Sequence, residues 1–196
     1  NNPILLGKKD PAPRNRGFYL AREDIKQFGN LKSISDLKAD VSTGRHINRV
    51  YCADALNALR VIPSNSVDLI FADPPYNLGK DFGNNIDRRG YEEYRKWNSK
   101  WIGGCSKILK PGGSVYICCD WKYSGMYQEI ISKHFIIRNR ITWKREKGRG
   151  SKSNWKNNME DIWFATAGDK FVFNVDDVKI KKEIVAPYKV NGKPKD

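Results

Sequence analysis

Val67-Asp-Leu-Ile-Phe-Ala72 runs straight into Asp73-Pro74-Pro75-Tyr76. Five of the first six residues are apolar, the pattern of a short strand buried on both faces as in a parallel sheet. Proline has no amide hydrogen to give to a sheet ladder, so two in succession end the strand at Asp73. An acidic side chain, a stiff backbone and an aromatic ring are thereby delivered to the carboxyl end of a strand. Open α/β sheets bind their ligands there.

The flanks of this stretch alternate between strand and helix periodicity. Upstream, Ile47 to Cys52 reads as a strand, and Asp54 is placed to cap a helix carrying Ala55, Leu56, Ala58, Leu59 and Val61. Pro63 to Ser66 turns the chain into the central strand. Downstream, Asn77 to Gly90 is a polar, glycine-bearing loop, long enough to move over a site. Tyr91 to Leu109 carries Tyr91, Tyr94, Trp97, Trp101, Ile102, Cys105, Ile108 and Leu109 at helical spacing, which marks Trp97 and Trp101 as core residues. Gly103-Gly104 costs that helix about 1 kcal/mol per glycine, so a kink or a close approach is expected there. Lys110-Pro111-Gly112-Gly113 is a stop signal. Then come a strand (Ser114 to Cys119), a helix (Ser124 to His134) and a strand (Phe135 to Trp143). Strands alternating with helices predict an α/β, Rossmann-like, doubly wound, mostly parallel sheet. Met159 to Ala167 is again strand-like, and Phe171 to Val175 can pair with it.

The ends differ from this core. Residues 1–45 form a basic arm, with Pro3, Pro11 and Pro13 among Lys8, Lys9, Arg14 and Arg16. Arg22-Glu23-Asp24-Ile25 and Ser33-Ile34-Ser35-Asp36 can each start a short helix. The α/β core is expected over residues 46–143. Residues 144–196 form a third region, whose first part, Lys144 to Asn158, is basic, glycine-rich and nearly without apolar residues. The tail from Lys179 is basic and expected to be loose.

Composition narrows the function classes. A net charge of +14 on 196 residues favours a polyanionic partner, most simply nucleic acid. No apolar run approaches a membrane span, and no signal-peptide segment opens the chain. The four cysteines, Cys52, Cys105, Cys118 and Cys119, form no Cys-x-x-Cys pair, and there are two histidines, so no metal site is expected. Reduced thiols fit a cytoplasmic protein.

Four segments occur in a fixed order: Val50-Tyr-Cys-Ala-Asp54-Ala-Leu, Asp68-Leu-Ile-Phe-Ala-Asp-Pro-Pro-Tyr-Asn-Leu, Leu109-Lys-Pro-Gly-Gly-Ser-Val-Tyr-Ile and Ile141-Thr-Trp-Lys. Together they resemble the β-type amino DNA methyltransferases, which methylate adenine N6 or cytosine N4, over about Ile47 to Tyr188. The resemblance implies the S-adenosylmethionine-dependent methyltransferase fold, a bacterial or archaeal enzyme, and a catalytic motif that precedes the recognition region. It implies that Asp73, Pro74, Pro75 and Tyr76 are catalytic, with Asp73 lying between donor and target base. Asp54 and Ala55, with Asp73, would contact the donor S-adenosylmethionine. For Asp54, a cap and a donor contact are compatible roles.

The chemistry suits these residues. An exocyclic amino nitrogen of a base is a poor nucleophile because its lone pair is delocalised into the ring. Asp73 and the Pro74 carbonyl can accept its protons, meeting the positive charge that grows as the nitrogen attacks. Tyr76 can stack on a base swung out of the duplex. In the basic region, Lys144, Arg145, Lys147, Arg149, Lys152 and Lys156 can neutralise phosphates of double-stranded DNA, Asn154, Asn157 and Asn158 can reach base edges, and Trp155 can stack or wedge. A solvated surface loop is the plainer reading of the same run.

One signature of that family has no counterpart here. A glycine-rich Phe-x-Gly-Ser-Gly-Thr turn, expected after the recognition region, is missing before Asp196. The fold is therefore expected to be incomplete on its C-terminal side, as the N-terminal part of a longer protein or a chain completed by a partner, with a homodimer one arrangement. The expected activity is adenine N6 methylation of DNA. Cytosine N4 methylation, methylation of adenine in RNA, and a non-catalytic DNA-binding subunit stay open.

Overall fold

Local capping starts the first two helices of the described residues. A computed structural model of the protein describes residues 31–81, 86–149, 152, 153, 155, 157–180, 189, 190, 193 and 194. Before α1 (Ile34–Ser42), the Ser33 hydroxyl accepts from the Asp36 amide, and the Asp36 carboxylate accepts from the Ser33 amide at 2.7 Å. This reciprocal pair satisfies two amides that a helix start leaves free. Before α2 (Ala55–Val61), Asp54 Oδ1 accepts from the Asn57 amide at 3.0 Å, the cap expected from sequence. The helix start read at Arg22 to Ile25 lies outside the described residues.

The chain continues through β1 (Val67–Ala72), α3 (Tyr91–Ile108), β2 (Leu109–Cys119), a 3-10 turn (Trp121–Tyr123), α4 (Ser124–Ser132), β3 (Ile136–Arg149) and β4 (Asn157–Thr166). A second 3-10 turn (Val175–Val178) and a short ribbon of β5 (Lys189–Val190) and β6 (Lys193–Pro194) follow. The main sheet has the order β1-β2-β4-β3. β1 pairs with β2 in parallel, while β4 is antiparallel to both β2 and β3.

The architecture is α/β, and the sheet is mixed. β1, β2 and β3 all point the same way, as strand-helix-strand crossovers require. The expected mostly parallel arrangement is interrupted because β4 returns from β3 through a short connection, which reverses its direction, and enters between β2 and β3. β4 thus comes from beyond residue 143 yet occupies an inner place in the sheet.

The core lies between this sheet and the helices. Ile102, Cys105 and Trp101 of α3, with Met126, Ile130 and Ile131 of α4, pack on Val115, Ile117 and Cys119 of β2 and on Trp163 and Ala165 of β4. α3 runs unbroken, and Gly103-Gly104 serves close packing rather than a kink. A Cβ at Gly104 would lie 3.0 Å from Leu59 Cδ1 of α2.

Residues alternate across each strand. The opposite face accordingly bears a row of stacked rings, Phe71 on Tyr116 at 6.4 Å, Tyr116 on Phe164 at 4.7 Å and Phe164 on Phe173 at 5.8 Å.

Four sequence expectations are corrected. Ile47 to Cys52 is not a strand: Ile47 and Val50 are exposed, and Tyr51 makes a single parallel bridge with Lys32. Apolar alternation gives a strand only where a partner edge and a covering layer exist. β1 is not buried on both faces, since Leu69 is 58% and Phe71 64% exposed. It is an edge strand, and the deeply buried strand is β2. Lys110-Pro111-Gly112-Gly113 ends α3 but falls within β2, where a shift of register between Val67 and Leu69 accommodates it. Phe171 to Val175 forms no ladder, and Phe171 and Phe173 meet Phe164 through their rings. The tail residues 181–188, 191, 192, 195 and 196 lie outside the described residues. Among the described residues, no helix is long and apolar enough to cross a membrane.

Candidate active site

Where the prolines end β1, the chain borders a cavity of ≈ 280 Å³. Asp73, Pro74, Pro75 and Tyr76 line it together with Lys80, Asp87 and Glu160. The tetrapeptide read from sequence is therefore brought together at one strand end, beside three charged residues that sequence reading did not single out. The Tyr76 hydroxyl donates to Asp73 Oδ1 at 2.7 Å. Burial, and after it this contact with Asp73, pushes the Tyr76 phenol well above its ordinary pKa, so it stays protonated and remains a donor.

Asn77 fixes the base of the following loop. It adopts φ 58°, a left-handed conformation that asparagine tolerates better than most residues. Its Oδ1 accepts from the Arg89 amide at 2.6 Å, and its Nδ2 donates to the Arg89 carbonyl at 3.0 Å and to Tyr123 Oη at 2.9 Å. Asp87, 4% exposed, accepts from the Leu78 amide at 3.2 Å and from the Lys80 amide. The loop expected to move is thus pinned at its base; residues 82–85 lie outside the described residues.

Glu160 reaches the cavity from β4, and Arg145 of β3 approaches its Oε1 to 2.6 Å. Glu160 lies far along the chain from Asp73. Its signal in the sequence is an acidic pair, Glu160-Asp161, immediately before the apolar run Ile162 to Ala165. Arg145, read from sequence as a phosphate contact, is here the ion-pair partner of a cavity residue.

Lys144 and Lys152 are exposed, and Trp155 is 98% exposed. Lys147 and Arg149 fall on β3, which continues into the basic stretch. The side chains of Lys147 and Arg149, and all of Asn154 and Lys156, lie outside what is described. Asp54 and Ala55 are exposed at the start of α2, and neither lines the cavity. Among the described residues, no three His, Cys, Asp or Glu side chains group to hold a metal ion.

Burial raises the thiols of Cys105 and Cys119 to about 12 and that of Cys118 to about 11, while Cys52 is exposed. A raised pKa leaves the unreactive protonated form at lower pH, so these thiols stay protonated near neutrality. A disulfide reagent at that pH should titrate Cys52 rapidly and the other three on the timescale of unfolding. Fast reaction of two or more thiols in the folded protein would contradict this.

A family model described as DNA methylase, N6_N4_Mtase, matches residues 67–196. The type II methyltransferase M.HpaI of Haemophilus parainfluenzae is 33% identical over 138 residues, covering 69% of this chain and 44% of that protein. The DNA adenine methyltransferase YhdJ of Escherichia coli (strain K12) is 33% identical over 140 residues, covering 70% and 48%. Among solved structures, the modification methylase TTHA0409 of Thermus thermophilus complexed with S-adenosyl-L-methionine is similar at 21% identity and a TM-score of 0.48, covering 61% of this chain and 53% of that one. The chain spans about half the length, or less, of the curated relatives it matches.

Proposed function

Because the chain belongs to the N6_N4_Mtase family of DNA methylases, we propose that it transfers a methyl group from S-adenosylmethionine to adenine N6 in double-stranded DNA. The observation that carries this reading is the cavity at the end of β1, where a carboxylate and a backbone constrained by two prolines stand together. Adenine, rather than cytosine, is favoured by the likeness to a DNA adenine methyltransferase.

Each group has a task that its chemistry allows. Asp73 and the Pro74 carbonyl accept from the amino group, so that acceptors are in place before charge develops on nitrogen. Tyr76 stacks on the base, worth about 1–3 kcal/mol. A paired base cannot reach a cavity of this kind, so the target nucleotide leaves the stack.

S-adenosylmethionine, when bound, supplies an electrophilic methyl group on a sulfonium cation. The cavity lining fits a cation: three carboxylates, Asp73, Asp87 and Glu160, outnumber the single Lys80. Asp54, exposed and capping α2 through one oxygen, retains acceptor capacity for donor hydroxyl or amino groups.

Nucleoside analysis after incubation of the protein with labelled S-adenosylmethionine and duplex DNA tests the proposal. N6-methyladenine is the expected product. N4-methylcytosine would replace the base assignment, and label confined to RNA would replace the substrate. Absence of both transfer and S-adenosylmethionine binding would leave a DNA-binding protein.

DNA affinity should fall steeply with salt, because exposed lysines on and after β3 displace counterions from phosphates. Lys144→Ala should weaken binding about equally across sequences and lower the slope of log K against log salt by about one. An unchanged slope would place Lys144 outside the interface.

A further inference from the structure

We propose that the buried hydroxyls of Tyr94 and Tyr127 form a positioning relay that sets the direction of Tyr76 in the catalytic tetrapeptide, an inference that rests on the methyl-transfer reading above. The two tyrosines, from α3 and α4, are 1% and 0% exposed. Tyr94 Oη donates to the Pro75 carbonyl at 2.7 Å and stands 3.0 Å from Tyr127 Oη. Tyr127 Oη donates to Asn98 Oδ1 at 2.7 Å, which also accepts from Trp101 Nε1 at 2.9 Å. Asn98, itself 0% exposed, gives its Nδ2 proton back to the Tyr94 carbonyl at 2.8 Å.

Polar groups this deep cost free energy unless each finds a partner. Phenylalanine would fill the same space at either tyrosine with no hydroxyl to satisfy. The outward end of the chain shows what the hydroxyls do: it terminates on the backbone of the tetrapeptide. The rings of Pro74 and Pro75 lock φ near −65° at both positions. Rotation about ψ of Pro75 then swings the Pro75 carbonyl together with the peptide plane from which Tyr76 departs. Holding that oxygen fixes this plane, and so favours the 2.7 Å contact of Tyr76 with Asp73.

The protons also fix the roles of the two tyrosines. Two hydroxyl protons serve three short contacts: Pro75 to Tyr94, Tyr94 to Tyr127, and Tyr127 to Asn98. Burial raises both phenol pKa values, so neither proton is lost. With Tyr94 giving to Pro75, the Tyr127 proton goes either to Asn98 Oδ1 or to Tyr94 Oη, and in the second case Asn98 Oδ1 is held by Trp101 alone. When both protons point inward, the Pro75 carbonyl loses its donor. Tyr94 is therefore the direct holder, and Tyr127 acts on the tetrapeptide through Tyr94.

The test compares Tyr94→Phe, Tyr127→Phe and the double variant in single-turnover methylation of DNA, well below each variant's melting temperature. Tyr94→Phe should lower the rate about 10-fold to 100-fold, the scale of a misplaced reacting group, with KM for DNA little changed. Tyr127→Phe should lose less, and the double variant should match Tyr94→Phe rather than multiply the two losses. Equal, multiplicative losses, or an unchanged rate in Tyr94→Phe, would overturn the relay. A second readout is independent of turnover: 3-fluorotyrosine placed at position 76 alone should show a displaced fluorine resonance in Tyr94→Phe. An unmoved resonance would overturn the relay. A resonance that moves in Tyr94→Phe while the parent methylates nothing would support the relay and remove the methyl-transfer reading instead.

Discussion

Asp73→Ala will lower the methyl-transfer rate by about 10³-fold, the upper range for removal of one preorganised electrostatic group. DNA affinity should stay within about threefold, because loss of an interaction made in the transition state leaves ground-state binding alone. On the proposed reading, alanine removes both the acceptor for the amino protons and the negative charge facing the reacting centre. It also removes the acceptor of the Tyr76 hydroxyl proton. Asp73→Asn separates these losses: it keeps an acceptor oxygen and discards the charge, and its rate should fall between the two. Single-turnover measurements with duplex DNA, beside a binding titration, decide the matter. Turnover within tenfold of the parent in Asp73→Ala would move the chemistry away from the end of β1.

The second large effect is on stability. Asn98→Leu will destabilise the protein by about 3 kcal/mol, since a buried donor left unpaired costs about 1–3 kcal/mol and two bonds are lost at Asn98 Oδ1 alone. Leucine has the branching of asparagine and is no smaller, so the loss reports hydrogen bonding rather than a cavity. The Trp101 indole N–H is left without its acceptor, whereas the Tyr127 proton can turn towards Tyr94. For a domain of this size that energy corresponds to a fall in Tm of about 10 °C. A variant as stable as the parent would mean the network contributes nothing net to folding, as buried polar clusters sometimes do.

The sequence carried local chemistry well and long-range placement poorly. Ser33 with Asp36, and Asp54 with Asn57, were legible because a cap needs residues three apart and nothing else. The end of β1 was legible because two prolines stop a ladder wherever they stand. Helical spacing marked Tyr94 and Trp101 as buried, and both are. It said nothing of where the Tyr94 hydroxyl ends, because Pro75 is reached only after α3 has folded back over the strand. Glu160 was illegible as a cavity residue for the same reason, since its position depends on β4 entering the sheet beside β2. The edge position of β1 was illegible too, because an apolar run reads alike whether one face or two are covered. The DNA-facing reading of Lys144 to Lys156 stays with the charge pattern, and Arg145 shows how such a residue also serves an acidic neighbour.

The place of β4 has a consequence for how the chain acquires its fold during synthesis. β1, α3 and β2 form a unit of neighbours in sequence, able to pair as soon as they emerge. β3 is different: among the described strands it has no neighbour in the sheet until β4 arrives, because β4 stands between it and β2. Residues 136–149 must therefore wait, strand edges unpaired, until residues 157–166 have left the ribosome. At about 5–20 residues per second that interval is of the order of a second, long against hairpin formation in microseconds. The basic side chains at Lys144 and Arg145 repel other copies over that time. The charge that suits a polyanionic partner also guards the nascent chain against pairing with its own kind.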